Sequence, residues 1–142
     1  MSSHSLSTER ILEKALESEM ISAEQLHLLI QTPPPDLLWL DVRTPSEHRQ
    51  GVIPGSVLFP CDHNLQNLED TSVFISSFGK KFRPELFDNG KKYVLICRTG
   101  PRTAIALEMF LRHGLAACEL LGGITEWRRQ GLAVESPGLG GG

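Results

Sequence analysis

Tyr93-Val94-Leu95-Ile96-Cys97-Arg98-Thr99-Gly100-Pro101-Arg102-Thr103 joins a strand signature to a helix start through a cysteine. The apolar run before Cys97, with an aromatic and two β-branched members, predicts a short buried strand that stops at the cysteine. From Pro101 the apolar positions Ala104, Ile105, Leu107, Met109, Phe110 and Leu111 predict a helix, with Pro in its first turn and Gly114 at its end. Cys97 therefore falls at the carboxyl end of a strand, in a tight turn that opens onto a helix N-terminus.

That placement has chemical consequences. The first N–H groups of a helix lack intrahelical partners, and the macrodipole puts partial positive charge there. A free thiol, with a pKa of about 8.5, is mostly protonated at neutral pH; helix N-termini and nearby arginines bring such thiols down to roughly 3.5–7.5. Arg98 and Arg102 supply positive charge, and Gly100 lets successive N–H groups turn inward as an anion-binding nest. The plain alternative is a buried cysteine acting as a small hydrophobe. The Arg-x-Gly-x-Arg run and the helix start favour a nucleophile. Neither a Ser/His/Asp order nor a phosphate-binding Gly-Lys-Ser/Thr motif competes with it.

Outward from this stretch, strands and helices alternate. Leu37-Leu38-Trp39-Leu40-Asp41-Val42 is nearly continuous in apolar residues, as expected of a strand buried on both faces of a parallel sheet. Pro45 opens a short helix that ends at Gly51, and Ser56-Val57-Leu58-Phe59 predicts the next strand, followed by Pro60-Cys61-Asp62. Beyond the long helix, residues 117–121 predict a last strand, and Gly122-Gly123 leads into a helix over 124–130 that carries Trp127. Upstream, Ile11, Leu12, Ala15, Leu16 and Met20 mark an amphipathic helix over 8–20 with Thr8 as its cap. Ser22-Ala23-Glu24-Gln25 is a capping box that starts a second helix. The stretch 62–92 is the hardest to read; Leu65, Leu68, Val73, Phe74, Phe78 and Phe82 suggest one or two helices.

The expected division is an N-terminal helical extension over 1–20, one α/β domain over 21–135 and a flexible Gly-rich tail over 136–142. A parallel sheet built this way binds ligands outside the carboxyl ends of its strands, where Asp41, Cys61 and Cys97 all fall. Asp41 and Arg43 read as fastening the loop and the helix after it, Trp39 and Trp127 as core aromatics, and Cys118 as an ordinary buried thiol. A net charge of −3 speaks against general nucleic-acid binding. No apolar run approaches a membrane span, and no basic segment followed by an apolar one marks a signal peptide. Three cysteines without such a segment point to free thiols in a reducing compartment, and so to the cytoplasm. Cys61-Asp62-His63 lacks a second ligand pair at zinc spacing, so no metal and no resident cofactor is expected.

Taken together, Leu40-Asp41-Val42-Arg43, Glu47, Gly51, Ile53-Pro54-Gly55-Ser56, Cys97-Arg98-Thr99-Gly100, and Leu121-Gly122-Gly123 with Trp127 and Gly131 resemble the rhodanese family. The order and spacing match from about residue 21 to 134. The resemblance implies a three-layer α/β/α fold with a central, mainly parallel five-stranded sheet. It also implies a single-domain sulfurtransferase working through a persulfide on Cys97. Two positions depart from the pattern: Val52 stands where most members have His, and Pro101 removes one N–H from the loop.

What the resemblance implies chemically is transfer of a sulfane sulfur from a small anionic donor such as thiosulfate. The acceptor is a thiophile: cyanide, a thiol or an acceptor protein. In this reading the loop N–H groups of Thr99, Gly100 and Arg102 stabilise the thiolate and the persulfide, Arg98 and Arg102 hold the anionic donor, and Thr99 and Thr103 offer hydroxyls. Two alternatives stand beside it: a cysteine-dependent phosphatase or arsenate reductase on a related loop, and a catalytically idle interaction module. Idle modules typically lack the cysteine that this chain keeps. The resembling phosphatases place Arg six residues after Cys; here Thr103 holds that position and Arg102 comes one residue earlier.

Overall fold

The structure, a computed structural model, describes residues 3–43, 45–59, 87, 90–98 and 101–136. Among the described residues ten elements follow in order: α1 (Ser3–Ser18), β1 (Met20–Ile21), α2 (Ala23–Gln31), β2 (Leu37–Asp41), α3 (Pro45–Arg49), β3 (Val57–Leu58), β4 (Lys92–Ile96), α4 (Pro101–Arg112), β5 (Ala116–Leu120) and α5 (Gly123–Arg129). The five strands form one sheet in the order β1-β5-β4-β2-β3, and every neighbouring pair is parallel. Parallel neighbours need crossovers, and the helices supply them on both faces.

Side chains alternate across each strand, so the sheet separates two cores. On one face Val94 and Ile96 of β4, Trp39 of β2 and Cys118 and Leu120 of β5 pack with Leu12 and Ala15 of α1, Leu26 and Leu29 of α2, and Ile124 and Trp127 of α5. On the other, Tyr93, Leu95 and Cys97 meet Leu40, Val42 and Ala117, under Ala106, Leu107 and Phe110 of α4. Phe87 caps that second core, its ring 5.5 Å from Tyr93 and 4.9 Å from Phe110.

Two expectations at the N-terminus are corrected. The first helix begins at Ser3, so Thr8 is not its cap. Thr8 instead lies one turn before Leu12 on the same stripe, and is buried with Leu12 and Ala15. Met20 is not helical either. Glu19 adopts φ 64, which stops the helix, and Met20 and Ile21 pair with Glu119 and Leu120 as the edge strand β1. The capping box of α2 forms as read: Gln25 N donates to Ser22 Oγ at 3.1 Å, and Ser22 N donates to Gln25 Oε1 at 3.0 Å. Most of the stretch 62–92, with Cys61 and the tail from 137, lies outside the described residues. Among the described residues no helix is long and apolar enough to cross a membrane.

Candidate active site

Cys97 follows the last residue of β4, the middle strand of the five, and is completely buried. Its sulfur lies on the α4 side of the sheet, with Leu95 and Tyr93 below it along the strand. The first turn of α4 brings its third residue, Thr103, onto it. Cys97 Sγ and Thr103 Oγ1 are 3.6 Å apart, and Thr103 is itself buried. The Thr103 hydroxyl donates to Glu119 Oε1 at 2.8 Å. Glu119 sits on β5 opposite Leu95, which puts it on the same face of the sheet as Cys97.

The loop after β4 is held from behind by α5. Ile124 N donates to Cys97 O at 2.9 Å and Thr125 N to Arg98 O at 3.0 Å, so the open amides of one helix start fix the backbone of the cysteine loop. The approach is close enough to require glycine. Gly122 and Gly123 have φ 76 and 59, and a Cβ on Gly123 would stand 2.5 Å from Cys97 O and closer still to Arg98 O. On the opposite side Val42 N donates to Ile96 O at 2.9 Å, tying the end of β2 to the end of β4.

Beyond β2 stands a buried ionic knot. Asp41 accepts from Arg43 Nη2 at 2.7 Å and from Arg43 Nε at 2.9 Å, and lies 3.2 Å from His48 Nε2. Arg43 Nη2 also donates to Gly51 O at 2.7 Å. Burial alone would raise the Asp41 pKa, but the hydrogen bonds from His48 and then Arg43 outweigh it and hold the carboxyl below its ordinary value. The knot fastens the end of β2 to α3 and the turn after it, the structural part that the sequence predicts for Asp41 and Arg43. His48 is a member that sequence reading missed.

Of the expected site residues, the structure brings together Cys97 and Thr103. Arg98 is exposed, with its carbonyl held by Thr125. Thr99 and Gly100 lie outside the described residues, as does the side chain of Arg102, whose backbone forms the first turn of α4. Glu119 was overlooked, although an acidic residue inside the apolar run 115–121 is a readable signal, since a charge in a covered strand needs a partner. Cys118, on the other face, behaves as read. Burial, reinforced by the charge of Glu119, pushes its thiol pKa up to about 12. Among the described residues no group of three His, Cys, Asp or Glu side chains could hold a metal ion.

Similarity to known proteins bears on the family and the fold. The family model of the rhodanese-like domain matches residues 22–130. A protein named sulfurtransferase from Allochromatium vinosum is 29% identical over 103 residues, which is 72% of this chain and 81% of that one. Among solved structures, a rhodanese-related protein from Thermoplasma volcanium superposes with a TM-score of 0.60 at 28% identity, covering 83% of this chain and 98% of the other. A protein of unknown function from Rhodopseudomonas palustris, described as a possible tyrosine phosphatase, gives 0.61 at 27% identity and covers 90% and 93%. With the family model spanning four of the five strands and the cysteine loop, the chain belongs to the rhodanese-like domain family.

Proposed function

We propose that the protein is a sulfurtransferase that carries sulfane sulfur as a persulfide on Cys97. The observation that carries this reading is the position of that sulfur, at the carboxyl end of the middle strand and just before the N-terminus of α4. The kinship with a sulfurtransferase adds support. Cys97 thiolate attacks the outer sulfur of thiosulfate; the new S–S bond forms as the old one breaks, and sulfite leaves with the electron pair. Cyanide, a thiol or an acceptor protein then attacks the outer sulfur of the persulfide, and Cys97 departs as thiolate. The partial positive charge of the α4 start favours both anions, and loop N–H groups of Thr99, Gly100 and Arg102 are the proposed donors. Arg98 and Arg102 are proposed to guide the anionic donor.

The burial of Cys97 and the short Cys-to-Arg spacing both favour sulfur over phosphorus. A thiosulfate presents one protruding sulfur, which a narrow cradle can admit. A phosphoryl group presents three equatorial oxygens and needs a ring of donors around them. The likeness to a possible tyrosine phosphatase makes phosphate hydrolysis the reading to test against. Intact-protein mass after thiosulfate treatment should rise by one sulfur atom, cyanide should remove it, and Cys97→Ser should abolish both the adduct and thiocyanate production. Cys97-dependent hydrolysis of p-nitrophenyl phosphate with no sulfur adduct would replace this proposal with the phosphatase one.

A further inference from the structure

One contact at the site has a chemical direction that the sulfur-transfer reading does not use. The Thr103 hydroxyl has a single proton, and it points to Glu119 Oε1 at 2.8 Å, while the same oxygen stands 3.6 Å from Cys97 Sγ. An ionised carboxylate only accepts, so while Glu119 holds that proton the hydroxyl can offer Cys97 nothing but lone pairs. Lone pairs accept from a thiol S–H and repel a thiolate. Two acceptors, the carboxylate and the thiolate, compete for one proton.

Resting on the assignment of Cys97 as the nucleophile, we infer that Glu119 is a positioning residue. By keeping the Thr103 hydroxyl turned toward itself, it weights the resting Cys97 toward the protonated thiol and so restrains its reactivity. The α4 N-terminus favours the thiolate, and Glu119 opposes it through Thr103. A persulfide ends the competition, because Sγ is then bonded to a second sulfur, has no proton to give and carries little of the charge.

Among the described residues, the other charged groups on the surrounding elements are engaged elsewhere or exposed. Asp41, Arg43 and His48 beyond β2 bind one another. Glu108 and Arg112 pair on the exposed side of α4 at 2.6 Å. Arg98 is exposed, and Glu19 at the approach to β1 contributes its carbonyl, which accepts from Glu119 N at 3.1 Å.

The test reads Cys97 alkylation by iodoacetamide against pH in the full chain without any sulfur donor, located by peptide mass. Glu119→Gln can turn its amide N–H toward Thr103, releasing the hydroxyl proton to the sulfur. The pH midpoint of alkylation should fall by about one unit. In a Thr103→Val background the same change should move the midpoint far less. Equal shifts in both backgrounds would mean that Glu119 acts only as a distant charge, and would overturn the inference, as would no shift at all. Glu119→Asp keeps the charge but withdraws the oxygen by one methylene. A midpoint like that of Glu119→Gln supports the hydroxyl mechanism; one like wild type overturns it. Thermal melting of each variant identifies those that fold, and Glu119→Asp carries the test if Glu119→Gln does not. Because no donor is present, loss of the sulfur adduct in wild type would remove the sulfur-transfer reading without touching this result.

Discussion

At the scale of single residues, two cysteines at almost the same depth in one sheet have opposite environments. Cys97 lies past the end of its strand, beside a helix start and a hydroxyl, whereas Cys118 lies inside β5 among Val94, Ile96 and Leu120. Burial and the neighbouring Glu119 push the Cys118 thiol up to about 12, so it stays protonated across the working range and is a poor nucleophile. The expected outcome at pH 8 is selective labelling: iodoacetamide modifies Cys97 and leaves Cys118 untouched until the protein is unfolded. A bulky maleimide should react with Cys97 more slowly than iodoacetamide relative to a free thiol, because the residue is fully buried. Peptide mass mapping checks both, and native labelling of Cys118 at a rate like that of Cys97 would refute the distinction.

At the scale of elements, the backbone of the cysteine loop is held by the amides of a helix that follows it in the chain. The start of α5 presses its amides onto the Cys97 and Arg98 carbonyls, and only a residue without Cβ fits at Gly123. Gly123→Ala therefore meets two penalties. The left-handed backbone at φ 59 costs a non-glycine residue about 1–2 kcal/mol. The added methyl also displaces the loop carbonyls, and a shift of order 1 Å at a reacting group can cost ~100-fold in rate. Sulfur transfer should fall by more than the loss of melting temperature explains. A variant with full activity and normal stability would show that α5 does not set the loop. The glycine pair was legible in the sequence as punctuation, but its target was not, because the contact joins positions far apart in the chain and periodicity reports only local structure. The same limit hid β1, whose two residues are too few to show alternation, and the Thr103–Glu119 bond, which crosses from a helix to the next strand. The Cys97 strand, its following helix, the capping box and the parallel class were all readable, since each rests on local pattern or on turn and cap chemistry.

At the scale of the whole molecule, the Asp41 knot joins segments that the sheet alone leaves apart. Arg43, two residues past β2, reaches the Gly51 carbonyl, Arg128 of α5 donates to Gln50 O at 2.6 Å, and Val52 pairs with Glu135, so the turn after α3 is clamped to the C-terminal segment. The charge at its centre has a predictable pH dependence. The folded-state pKa of Asp41 lies below the ordinary value of 3.8, so the folded protein holds the carboxylate more tightly than the unfolded chain does. A depressed folded pKa contributes stability that is fully present above the unfolded value and is lost as pH falls through the folded one. Urea unfolding should thus give a midpoint that is level with respect to this group near neutrality and declines once pH drops below about 4. Asp41→Asn removes the charge but leaves Arg43 buried, and breaking a buried pair in this way costs about 3–5 kcal/mol at neutral pH. Below pH 4 the variant should lose less further stability than wild type, because the linked proton is gone, and the two curves should converge. Parallel curves down to pH 2 would show that Asp41 does not drive the acid transition, and a neutral-pH loss under about 1 kcal/mol would show that the knot contributes no more than an exposed ion pair does.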